Sequence, residues 1–149
     1  MLSKFFKPEV IRLNVECNCW QDAIKAGTDL LLHKNYVEKR YLDAIIRNHK
    51  ELGPYMVISP GIMLAHARPE NGVLTLSLSL ITLKEGMVFG NETNDPVKLI
   101  ITLAATDQKS HLALLAELME LLMNPEDVKN IIAAKKKEEV IAIIDRYSK

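Results

Sequence analysis

Between residues 73 and 83 the chain reads VLTLSLSLITL, with Leu74, Leu76, Leu78 and Leu80 separated by Thr75, Ser77 and Ser79. A period of two sustained over this length predicts a half-buried antiparallel strand. Further on, VKLIITLAA is apolar at nearly every position, which predicts a strand in the centre of a sheet, covered on both faces. Shorter signals flank these two. Ile11, Leu13 and Val15 alternate weakly over 11–16 and predict a short edge strand. YMVI and IMLAH are short apolar strands divided by a turn at Ser59-Pro60-Gly61. A turn is also expected at Glu85-Gly86, then a short strand in MVF and a polar loop in GNETNDP.

Elsewhere the period changes to that of a helix. From Asn18 onward Trp20, Ile24, Gly27 and Leu31 form one stripe, with Asn18 able to cap and Gln21 to answer it. A second helix is expected over 35–52, carrying Val37, Tyr41, Ile45 and His49 on one side and stopped by Gly53-Pro54. Three more follow, over 108–123, 125–134 and 136–147, the middle one with Asn124 as cap and Pro125 at its first position. The charge run AAKKKEEV is the solvated start of the last. Two helices, several strands and three helices predict a single α/β domain over 1–149. Its architecture is one mixed sheet, parallel and antiparallel, flanked by helices on both faces.

Composition narrows the partners. Lys plus Arg and Asp plus Glu both total 19, so net charge exerts no pull toward nucleic acid or acidic lipid. No apolar stretch reaches the roughly 18–20 residues that cross a bilayer. The first ten residues, MLSKFFKPEV, put charges and a proline where a signal peptide needs an unbroken apolar segment, so a cytoplasmic protein is expected. Cys17 and Cys19, with one residue between them, are too close for an ordinary disulfide and supply only half a zinc site. They read as reduced thiols beside a helix start.

The chemistry must come from few residues, because the chain has no Gly-rich phosphate loop, no GxSxG elbow and no HExxH. Of four histidines, His33 and His49 sit late in their helices, where an imidazole interacts favourably with the helix C-terminus. His66 is different. In PGIMLAHARPE it ends an apolar run and is followed at once by Arg68-Pro69, which places an imidazole where a strand leaves the core. His111 follows the central strand through AATDQKS and falls in the first turn of the next helix, with Asp107 or Ser110 as its cap.

Strand C-terminal ends and helix N-termini gather along one edge of an α/β sheet, and anions bind there. A metal would be opposed by the positive end of the helix dipole and has no third ligand in view. A phosphoryl group is favoured by the same field. A neutral imidazole nitrogen can attack phosphorus while a second histidine and backbone N–H groups hold the oxygens. On spacing alone, a purely structural role for the pair competes with this.

PGIMLAHARPENGV resembles the active-histidine motif of the enzyme IIA domains of the bacterial sugar phosphotransferase system, in the mannitol/fructose-type superfamily. DAIKAGTDLLLHKNYVEKRYLDAIIRNHKELGPYMVISPGI is similar to the two N-terminal helices of that family and the strand that follows them. VFGNETNDPVKLIITLAATDQKSHLALLAELMELL is similar to its later strand, loop, Asp…His segment and helix. The resemblance runs from about residue 18 to residue 145, and GPYMVISPGI with HARPENGV is most like the ascorbate-type subgroup.

The resemblance implies that His66 is the phosphorylated residue, accepting phosphate from the phosphohistidine of HPr through its Nε2. His111 would hydrogen-bond the phosphoryl oxygens, with Arg47, Arg68 and Asp107 as further residues around the group. Arg47 corresponds to an arginine near the site in mannitol-type members. Ala65 departs from the proline that many members carry, which alters how stiffly the histidine is presented. No cofactor or metal is implied.

The phosphate would pass to the cysteine of a separate enzyme IIB and on to the substrate held by a membrane enzyme IIC, for ascorbate or a related sugar. Docking of these partners calls for an apolar rim, for which Met63, Leu64 and Met87 are candidates. A homo-oligomer stays open. Two other roles compete: a nitrogen-type regulatory paralogue acting by protein binding, and a non-phosphorylated anion- or metal-binding module using the same two histidines.

Overall fold

The computed structural model describes residues 1–109 and 111–149. The strands are β1 (Ile11–Val15), β2 (Val57–Ser59), β3 (Ile62–Ala65), β4 (Ser77–Met87) and β5 (Val97–Ala104), and the helices α1 (Trp20–His33), α2 (Arg40–Leu52), α3 (Leu112–Leu122), α4 (Pro125–Ala133) and α5 (Lys137–Asp145). The five strands form one sheet in the order β1-β4-β5-β3-β2. β1 runs parallel to β4 and β3 parallel to β5, while β4–β5 and β2–β3 are antiparallel. The sheet is mixed and β5 is central, as the unbroken apolar run predicts.

The strands feed two cores, one on each face of the sheet. Leu64, Leu78, Leu80, Leu99, Ile101 and Leu103 pack beneath α3, α4 and α5, together with Leu2 and Phe6 of the N-terminal segment. Met63, Ala65, Ile81, Leu83, Ile100 and Ala104 pack beneath α1 and α2. Helices therefore cover both faces.

The period-two strand is not half-buried. β4 is buried at every position from Ser77 to Leu83, and Leu74 lies before it, exposed. Its serine face is covered by α1, which approaches through Gly27. Ser79 donates a 2.8 Å hydrogen bond to the Gly27 carbonyl, and a Cβ at Gly27 would stand 2.7 Å from Thr102 Oγ1. Small polar residues line this face because a helix backbone lies against them.

Glu85-Gly86 is not a turn either. β4 continues through it to Met87, which pairs with Val97. Gly86 is required by close approach, since a Cβ there would meet Pro96 at 2.6 Å. α2 begins at Arg40 rather than 35 because Asn35 adopts a left-handed conformation after α1 and Val37 bridges to Val73. Asn124 caps α4 by accepting from the Asp127 N–H, as its position suggests. Cys19, and not Asn18, is the N-cap of α1, with no side-chain capping bond.

Candidate active site

Because β3 and β5 are parallel neighbours, their C-terminal ends coincide: Ala65 pairs with Thr102. The next residue after β3 is His66, and the chain leaving β5 leads to α3. A cleft of about 810 Å³ opens there, lined by Arg47, Tyr55, His66, Arg68, Asp107 and His111 among others. All five residues singled out in the sequence thus face one cavity, although they come from α2, the end of β3 and the β5–α3 connection.

His66 is held at its inner nitrogen. Nδ1 lies 2.8 Å from the carbonyl of Leu64, two residues earlier, and a carbonyl can only accept. Nδ1 therefore carries the proton, and Nε2 keeps a free lone pair. The ring meets Tyr55 edge-on, with centroids 5.9 Å apart. The following peptide is fixed as well: the Ala67 N–H donates to the Tyr41 hydroxyl at 3.0 Å.

His111 presents the opposite polarity. It is the N-cap residue of α3, one position before the first turn, and its carbonyl accepts from the Leu115 N–H at 2.8 Å. Its Nδ1 is buried and has no hydrogen-bond partner among the described residues. A buried N–H without an acceptor costs more than a buried lone pair without a donor. The favoured tautomer keeps the proton on Nε2, so His111 can donate where His66 can attack.

The charged residues are distributed around these rings. Arg47, on the exposed side of α2, and Arg68, loosely paired with Glu70 at 3.9 Å, supply positive charge. Asp107 accepts from the Lys109 N–H at 2.7 Å and so shapes the loop before α3. It does not occupy the cap position of α3, and Ser110, the other expected cap, lies outside the described residues. The N-terminus of α3 adds the partial positive charge of its unpaired N–H groups.

The other histidines lie elsewhere. His49 is buried between Trp20 and Phe89, with Nε2 2.8 Å from the Phe89 carbonyl, and serves packing. His33 ends α1. Cys17 and Cys19 are free thiols, and burial together with Asp22 pushes the Cys17 thiol up. Among the described residues no three His, Cys, Asp or Glu side chains come together as a metal site.

The expected docking rim is misplaced. Met63 and Leu64 lie in the two cores, and Met87 is at the far end of β4 from the cleft. Of the exposed apolar side chains, Leu52 at 66% and Tyr55 at 46% line the cleft, and Leu112 at 59% directly follows its lining residue His111. Tyr41 and Tyr55 were missed as site residues. The available signal for Tyr41 was a tyrosine on a buried helix stripe, since its hydroxyl must find a partner there.

The family model for the phosphoenolpyruvate-dependent sugar phosphotransferase system, EIIA 2, matches residues 4–147. The ascorbate-specific PTS system EIIA component of Shigella dysenteriae is 41% identical over 137 residues, 91% of this chain and 89% of that protein. The solution structure of the mannitol-specific cryptic phosphotransferase enzyme IIA of Escherichia coli superposes with a TM-score of 0.88 at 36% identity, covering 97% of this chain and 98% of that one. The same fold recurs at 23% identity and a TM-score of 0.82 in the mannitol enzyme IIA of Escherichia coli, solved in complex with phosphorylated enzyme IIB, over 94% and 96% of the two chains.

Proposed function

This chain belongs to the EIIA 2 family of the phosphoenolpyruvate-dependent sugar phosphotransferase system, and on that premise we propose that it is a phosphoryl carrier working through His66. The observation that supports this most is the bond from His66 Nδ1–H to the Leu64 carbonyl, which leaves Nε2 as the nucleophile in the cleft. The Nε2 lone pair attacks the phosphorus of phospho-HPr and forms an N–P bond. The N–P bond to the HPr histidine breaks, and its electron pair returns to that imidazole. His66 needs no proton transfer to react, because its own proton is already engaged with the carbonyl.

The phosphoryl oxygens meet the Nε2–H of His111, the guanidinium groups of Arg47 and Arg68, and the N-terminus of α3. These groups act by placement and charge. The group then passes to the cysteine of an enzyme IIB, the kind of partner with which the mannitol enzyme IIA was solved, and onward through a membrane enzyme IIC. Leu52, Tyr55 and Leu112 supply the exposed apolar rim for both partners. The ascorbate-specific relatives support ascorbate or a related sugar as the substrate of the assembled system. The carrier works in the cytoplasm, beside its donor.

Incubation with phosphoenolpyruvate, enzyme I and HPr, read by intact mass, tests this directly. One phosphoryl adduct is expected, lost in acid and retained in base, and absent from His66→Ala but present in His33→Ala. An acid-stable adduct, or full labelling of His66→Ala, would overturn the assignment. No adduct at all would favour a non-phosphorylated anion-binding module.

A further inference from the structure

Tyr41 lies in the first turn of α2 and is fully buried on the face that packs against the sheet with Ala44 and Ile45. Phenylalanine would fill the same space. A hydroxyl there costs free energy unless it is paired. It is paired twice, to two different strand ends: it donates to the Leu103 carbonyl at 2.7 Å and accepts from the Ala67 N–H at 3.0 Å. The direction is dictated by the partners, since the carbonyl can only accept and the N–H can only donate. A longer approach to the Ala67 carbonyl, 3.4 Å, is the weaker alternative for the same proton.

The location matters more than the strength. The parallel ladder between β3 and β5 ends at the pair Ala65–Thr102. Leu103 and Ala67 lie just past it, and His66 lies between Ala65 and Ala67. The hydroxyl therefore joins the two strands where their own ladder stops, one residue after His66, whose ring is held by the Leu64 carbonyl two residues before it. Tyr41 also shares α2 with Arg47, which lines the cleft. The same contact ties that helix to both strand ends. Burial pushes the Tyr41 hydroxyl up to about 12, so it remains a donor throughout the working range.

We infer that Tyr41 is a positioning residue for the transfer reaction: its hydroxyl braces the His66–Ala67 peptide against the end of β5, so that the His66 ring stays bonded to Leu64 and presents Nε2. This rests on the phosphocarrier reading. Tyr41→Phe removes the brace and keeps the ring. Transfer from phospho-HPr is expected to slow about tenfold in kcat with KM unchanged, because the docking surface is untouched. Long-range proton–nitrogen NMR should show His66 as a single Nδ1–H tautomer in the wild type and as a mixture in the variant.

Thr28→Val is the control. It removes another fully buried hydroxyl of the same core, bonded to the Ile24 carbonyl at 2.9 Å within α1. It should lower stability without changing either rate or tautomer. Equal effects of the two variants, or a wild-type kcat and tautomer in Tyr41→Phe, would overturn the proposal. Should Tyr41→Phe not fold, hydrogen exchange in the wild type decides: an Ala67 amide exchanging as fast as an unpaired loop amide would mean that the brace does not exist, and a protected one supports it. A wild type that accepts no phosphoryl group would overturn the phosphocarrier reading and this proposal together. Labelling of the wild type with an unaffected Tyr41→Phe would overturn only the latter.

Discussion

Replacing His111 separates the chemistry of the site from its architecture. The Nδ1 of His111 is buried without a partner among the described residues, so truncating the ring breaks no protein hydrogen bond described at that atom. The stability of His111→Ala should therefore stay within about 0.5 kcal/mol of wild type, as for a substitution away from any paired group. Transfer is a different matter. If Nε2–H donates to a phosphoryl oxygen, the lost bond is charge-assisted and contributes roughly 1.5–3 kcal/mol. At about 1.4 kcal/mol per factor of ten, the rate should fall by roughly one to two orders of magnitude, to the extent that the bond is stronger in the transition state.

Two amides then test the tautomer. The side-chain nitrogen of glutamine falls near the position of Nε2, and that of asparagine near Nδ1. His111→Gln should recover part of the lost rate and His111→Asn should not. The assay is rapid-quench transfer from phospho-HPr, with thermal unfolding run in parallel. A wild-type rate in His111→Ala would remove His111 from the reaction, and recovery by asparagine equal to that by glutamine would refute the tautomer argued from burial.

Gly27→Ala should destabilise the fold by about 1–3 kcal/mol, because its Cβ would stand 2.7 Å from Thr102 Oγ1 between a helix and the central strand. Thr102→Ala in that background should return part of the loss in urea unfolding, and no recovery would place the strain elsewhere. Asp127 gives the fold an acid sensitivity: hydrogen bonds from Tyr147 and Arg146 hold its carboxyl below the usual carboxylate range. A lowered folded value means stabilisation present above the unfolded value of about 3.9 and lost as pH falls through the folded one. Asp127→Asn should be less stable than wild type at neutral pH, with the gap closing below about pH 4, and a gap independent of pH would refute the linkage.

The parts of this structure that were legible in the sequence are those where one residue property has one cause. VKLIITLAA is apolar on both faces because β5 has a neighbouring strand on each side and a helical layer above and below. His66 and His111 were visible as polar groups at strand and helix ends, and the gathering of such ends along one sheet edge made their convergence foreseeable. Where two causes leave the same pattern, the reading failed. Ser77 and Ser79 alternate with leucines as they would on a solvated face, yet both are buried, and Ser79 is small because the backbone of α1 lies over it at Gly27. Gly86 looks like a turn and is a contact with Pro96.

The docking rim was misread for a related reason. Met63 and Leu64 lead directly into His66 along the chain, but successive side chains of a strand point to opposite faces, and here both faces are covered. Proximity in sequence to the nucleophile thus places a β3 side chain in a core and not on the rim. The exposed apolar groups must come from elements that end at the cleft, as Leu52 does at the close of α2 and Leu112 at the start of α3. By the same logic the contact that holds the His66–Ala67 peptide comes from Tyr41, 26 residues before Ala67 in the chain. A tyrosine on a buried helix stripe signals that its hydroxyl needs a partner, but the stripe does not say which distant strand end supplies it.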